Sequence, residues 1–147
     1  MQQPNIDWAN LPFGYLPTDY NVRCYYRNGA WGEIETSSSE YINLHMAATC
    51  LHYGQEAFEG LKAYRCPDGK IRAFRIEENA ARMQHTAQGI LMAEMPTDKF
   101  CEMVRRVILL NERFIPPYET GAALYIRPLL IGTGPQAGVR PAHEYLP

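Results

Sequence analysis

The 147-residue sequence predicts an α+β domain, a mostly antiparallel sheet with two helices on one face. Three observations predict it. Short apolar runs pair around Asn28-Gly29, and again around Pro67-Asp68-Gly69. Two amphipathic stretches then follow back to back with no strand between them. A last apolar run, residues 122–131, comes after both helices, whereas a parallel sheet alternates strand and helix.

The elements follow in order. The first 20 residues carry Pro4, Pro12, Gly14 and Pro17 and read as an irregular arm. Val22-Arg23-Cys24-Tyr25-Tyr26 and Ala30-Trp31 flank Asn28-Gly29, a pair that tolerates the positive φ of a type I′ hairpin turn. Residues 37–40, SSSE, read as a loose loop. In LHYGQEAFEGLKAY, residues 51–64, two glycines bracket an acidic and aromatic cluster that is too polar for a core helix and too apolar for a solvated loop. Residues 61–65 and 71–75 form the second hairpin, with Pro67 presetting φ and Gly69 taking the left-handed position.

The first helix spans 77 to about 92, with Glu77-Glu78 at its positive end and Ala80, Met83, Ala87 and Ile90/Leu91 at helical spacing. Pro96 breaks the chain and Thr97 is read as the next N-cap. Phe100, Met103, Val104, Val107 and Ile108 form one stripe of the second helix, which Pro116-Pro117 ends. Residues 122–131 read as one strand, followed by the glycine- and proline-rich GTGPQAGVRP. Nothing after it reads as a closing element, so the chain is expected to be a piece of something larger.

Composition narrows the function. Apolar residues make up 46% and charged residues 20%, the balance of a globular chain with a sizeable core. A net charge of −2 gives no basic footprint for nucleic acid. No apolar run approaches the roughly 18 residues of a membrane span, and MQQPNIDWAN has no secretion-signal pattern. Cys24, Cys50, Cys66 and Cys101 are too far apart for a zinc or redox pair and read as reduced thiols of a cytoplasmic protein. His45, His52, His85 and His143 show no metal spacing.

Candidate chemistry is sparse. No G-x-S-x-G or phosphate-cradling P-loop occurs, and GTGPQAG lacks the strand–helix setting of a phosphate loop. The lysines are Lys62, Lys70 and Lys99; only Lys62, within the central cluster, is a candidate imine-forming amine. In Leu124-Tyr125-Ile126-Arg127-Pro128-Leu129, alternation places Tyr125 and Arg127 on one face and Leu124, Ile126 and Leu130 on the other. A guanidinium beside a phenol is either an anion site or an ordinary solvated strand face. Pro128 interrupts the ladder, as at an edge or bulge. Arg82 falls off the apolar stripe of its helix, and periodicity points it at solvent.

Taken in order, LHYGQEAFEGLKAYR, KIRAFRIEENAARM and ALYIRPLLIGTGPQAGVRP resemble the N-terminal domain of branched-chain amino-acid aminotransferases, fold-type IV enzymes dependent on pyridoxal 5′-phosphate. The resemblance covers most of residues 30–141. It implies that residues 1–147 are the small N-terminal domain of a two-domain homodimer that passes the amino group of leucine, isoleucine or valine to 2-oxoglutarate. It implies Arg82 on the cofactor phosphate, against the periodicity. Tyr53 and Phe58 become pocket walls for the branched side chain, with Tyr125 in the same pocket. Arg127 takes the distal carboxylate of glutamate. Glu59 and its flanking glycines are read as structural. In that family the cofactor-bearing lysine lies in the second domain, so none of the three lysines here is catalytic and the chain alone is expected to be inactive. The alternatives are another fold-type IV enzyme, a D-amino-acid aminotransferase or aminodeoxychorismate lyase, or a non-catalytic interaction domain.

Overall fold

A computed structural model of the chain describes residues 6–11, 14–138 and 140–146. The expectations resting on Pro4, Pro12 and Val139 lie outside these residues. Strands β1 (Asn21–Arg27) and β2 (Ala30–Ser37) form the first hairpin, with Asn28 at φ 52° and Gly29 at φ 79°. A short helix α1 (Thr49–Tyr53) leads to β3 (Glu56–Phe58) and β4 (Leu61–Arg65). Strand β5 (Ile71–Ala73) returns from the turn at Gly69, whose φ is 76°.

Helices α2 (Ile76–Gly89) and α3 (Thr97–Leu110) follow. Helix α2 buries Ala80, Met83 and Ala87, the spacing read from the sequence. Its stripe stops short of the expected end, because Leu91 lies outside the helix with φ 57° and is largely exposed. Helix α3 buries Phe100, Cys101, Val104 and Ile108. Thr97 is its first residue rather than its cap: the Phe100 N–H bonds to the Pro96 carbonyl at 2.9 Å, and the Thr97 hydroxyl accepts from Gln84 instead. At the end of α3, buried Asn111 bonds both the N–H and the carbonyl of Tyr20, fastening the arm to the helix.

Residues 122–131 are not one strand. They divide into β6 (Leu124–Ile126) and β7 (Leu129–Gly132), and each half joins a different sheet. The single sheet expected from the sequence is therefore two, in the orders β5-β4-β6 and β2-β1-β8-β7-β3, with every named pairing antiparallel. Strand β8 (Tyr145–Leu146) sits between β1 and β7 and is the closing element that the sequence reading lacked. Leu61, Ala63, Ile126 and Leu130 from the two sheets pack with the buried faces of α2 and α3 in one core. Among the described residues no helix is long and apolar enough to cross a membrane.

Candidate functional site at the sheet corner

The chain passes between the two sheets twice, once from β3 to β4 through Glu59-Gly60 and once from β6 to β7 through Arg127-Pro128. The crossings are bonded together, the Glu59 N–H donating to the Pro128 carbonyl at 2.9 Å. Proline lacks an N–H, so it fits where the ladder breaks. Alternation survives both turns: Ala57, Glu59, Leu61 and Ala63 point inward, while Phe58 and Lys62 point out. Ile126 and Leu130 point inward, while Tyr125, Arg127 and Leu129 point out.

The outward residues of the two crossings meet. Phe58 pairs with Leu129 in register, and Lys62 with Tyr125. The Arg127 guanidinium carbon lies 4.8 Å from the centroid of the Phe58 ring and 5.4 Å from that of Tyr125. Arg127 Nη2 donates to the Tyr125 hydroxyl at 3.2 Å. Gly60 makes room for this arrangement, because a Cβ there would stand 2.6 Å from the Tyr125 hydroxyl oxygen. The result is an aromatic and apolar wall, Phe58, Tyr125 and Leu129, with one cation laid along it.

On the inner side of the same corner stands Glu59, only 4% exposed. Its carboxylate accepts from Arg82 Nε and Nη2, both at 2.6 Å, and from Asn79 Nδ2 at 2.9 Å. Asn79 and Arg82 sit three residues apart on α2 and so reach the same spot. Burial pushes the Glu59 carboxyl up, but hydrogen bonds from Arg82 and Asn79 and the nearby guanidinium charge outweigh it and leave the group below its ordinary value. Arg82 is raised, by its bonds to Glu59 above all. Its side chain is 66% exposed, so the donors not bound to Glu59 remain open to an anion.

No family model matches the chain. The branched-chain-amino-acid aminotransferase of Haemophilus influenzae is 44% identical to it over 142 residues, 97% of the chain and 41% of that protein. That of Helicobacter pylori is 44% identical over 142 residues, 97% of the chain and 42% of its own length. By sequence, the chain is similar to part of these branched-chain aminotransferases. It spans about two fifths of the length of those relatives. The branched-chain aminotransferase of Thermobaculum terrenum, solved in its PLP form, superposes with a TM-score of 0.61 at 18% identity, over 88% of this chain and 39% of that one, which speaks to the fold.

The residues singled out from the sequence fall unevenly. Phe58, Tyr125 and Arg127 come together at the corner, and Arg82 is joined to it through Glu59. Tyr53 is placed differently: its hydroxyl donates to the Ala137 carbonyl of the glycine- and proline-rich loop at 2.8 Å, and its ring contact is with His52. The solvent reading of Arg82 holds for exposure but misses the anchor. Glu59, read as structural, is the buried partner that fixes Arg82. The signal was present in the sequence, since period two puts Glu59 in the inward series with Ala57, Leu61 and Ala63, and a carboxylate there demands a cation.

Proposed function

We propose that this chain is the N-terminal domain of a pyridoxal 5′-phosphate-dependent branched-chain amino-acid aminotransferase acting between leucine, isoleucine or valine and 2-oxoglutarate. The observation that carries the reading is the Phe58–Tyr125–Arg127 cluster, an apolar wall with a cation along it. An alkyl side chain gains about 1.5–3 kcal/mol from burial against such a wall. A glutamate carboxylate needs a guanidinium instead, and one site must serve both. Support also comes from the 44% identity to the branched-chain aminotransferases of Haemophilus influenzae and Helicobacter pylori.

Arg82 fits the cofactor's phosphate, because its guanidinium is held by one edge and open at the other. The cofactor, when bound, supplies an electron sink for transfer of the amino group. This chain's part is to orient that phosphate and to sort side chains at Phe58, Tyr125 and Arg127. The reading assigns the cofactor-bearing lysine to a second domain, in the part of the relatives' length that this chain does not span. Tyr53, exposed and bonded to the Ala137 loop, is assigned to the far rim of the side-chain pocket. We also assign the protein to the cytoplasm and to a homodimer. The four cysteines, free among the described residues, support the first.

The test separates the two substrates. Arg127→Ala in the full-length protein should lower kcat/KM of the glutamate half-reaction roughly thirtyfold or more, since removing one partner of a covered charge pair costs about 2–5 kcal/mol. The leucine half-reaction should change by less than about tenfold. Single-turnover absorbance measures each half separately, and equal losses would defeat the reading.

A further inference from the structure

We infer that Glu59 is a positioning residue for the cofactor's phosphate group: it fixes the Arg82 guanidinium in the one orientation that turns its unused donors outward. This rests on the reading of Arg82 as the phosphate anchor. Glu59 makes no use of its charge that the substrate wall requires, yet it is the buried carboxylate of the corner. Its geometry is that of a clamp. Arg82 Nε and Nη2 are both taken at 2.6 Å, so the guanidinium plane is set and Nη1 is left facing away. The clamp is itself held. Asn79 Nδ2 bonds the carboxylate at 2.9 Å and the Gly60 carbonyl at 3.3 Å, and the Glu59 N–H is tied to the Pro128 carbonyl beside Arg127.

An arginine as exposed as Arg82 would otherwise sample many rotamers, and an anion binding to it would have to freeze them. Glu59 removes that cost in advance. It also carries a charge that repels a phosphate, so the sign of its net effect decides between positioning and mere neutralisation. Because the backbone of the same residue is bonded beside Arg127, the phosphate anchor and the carboxylate cation are surveyed from one point.

The experiment compares two probes, pyridoxal 5′-phosphate and pyridoxal, titrated into apo full-length protein. Glu59→Gln keeps the shape and removes the charge. The preference for the phosphorylated probe should fall roughly tenfold or more, the size of a lost charge-assisted contact, while pyridoxal affinity changes by less than about threefold. The phosphorus resonance of the bound probe should move toward that of the free one. In an Arg82→Ala background, Glu59→Gln should change the preference no further. An unchanged or increased preference, or equal losses for both probes, overturns the inference. If Arg82→Ala alone leaves the preference intact, the phosphate reading of Arg82 fails and this inference falls with it. Should Glu59→Gln not fold, Asn79→Ala loosens the same clamp and should lower the preference at least about threefold; no drop overturns the proposal.

Discussion

Replacing Gly60 by alanine probes whether the phenol of Tyr125 is part of the pocket wall. Gly60 does not have a positive φ, so an alanine there is not strained by its backbone. The added Cβ meets the Tyr125 hydroxyl oxygen at 2.6 Å and the ring carbons Cε2 and Cζ at 3.2 and 3.3 Å. Ordinary contact begins near 3.4 Å, so the hydroxyl must move by about 0.8 Å and the ring by a few tenths. Tyr125 is 49% exposed and can swing outward, breaking its 3.2 Å bond from Arg127. Losing that exposed bond costs about 0.5–1.5 kcal/mol, and the stiffer unfolded chain returns about 0.4–1 kcal/mol. Stability should therefore shift by no more than about 1 kcal/mol, or about 2–4 °C in Tm. Activity should suffer more, because moving a wall by this much costs roughly tenfold in kcat/KM for branched substrates. In a Tyr125→Phe background the closest clash disappears and the penalty should shrink to about threefold. Melting curves and steady-state kinetics of the full-length protein provide the readout. Unchanged kinetics would remove Tyr125 from the pocket, and a Tm loss above about 8 °C that Tyr125→Phe does not relieve would mean the hydroxyl is not what alanine strikes.

Acid stability should report Glu59. Its folded value is lowered, so its contribution is complete above the unfolded value near 4.5 and is lost as pH falls through the lower folded one. Glu59→Gln should flatten the fall of Tm below about pH 4.5; at neutral pH it should cost about 1–2 kcal/mol, less than the about 3–5 of a fully buried pair because Arg82 is largely in solvent. A wild-type acid limb in the variant would show that other carboxylates set it. Lys62, on an exposed strand face opposite Tyr125, lacks the dry pocket that activates an imine-forming amine. Pyridoxal 5′-phosphate followed by borohydride should leave no stoichiometric adduct on Lys62 in this chain, and peptide mass mapping that found one would make it reactive after all.

Local signals carried much of the fold. Asn28-Gly29 marked its hairpin because both residues adopt the positive φ that the turn requires. The Ala80, Met83 and Ala87 spacing marked the buried side of α2 because packing there is a matter of period. Where contacts are non-local the sequence was silent. Pro128 announced an interruption, but not that Ile126 pairs with Leu61 in one sheet and Leu130 with Ala57 in another. Tyr145-Leu146 is too short to show a period, and its partners Tyr26, Gly132 and Ile131 are distant in the chain or separated from it by a loop. The wall residues were legible on one strand as Tyr125 and Arg127; that Phe58 lies under the same guanidinium is a product of the corner. Arg82 shows the limit of periodicity most clearly, since helical phase gave its exposure but not the partner from another element that holds it.

The two crossings between sheets also fix where this chain can change length. Inward and outward residues alternate without a break through Ala57–Leu61 and Ile126–Leu130. One extra residue in either link would turn every side chain beyond it to the opposite face, sending Lys62 or Leu129 into the core and Leu61 or Leu130 into water. Two extra residues would restore the faces but pull the Glu59 N–H from the Pro128 carbonyl. The turns at Asn28-Gly29 and Pro67-Asp68-Gly69 carry no such bond between sheets and can lengthen at the surface. Changes of length are therefore expected to be tolerated at the two hairpin turns and not at the corner.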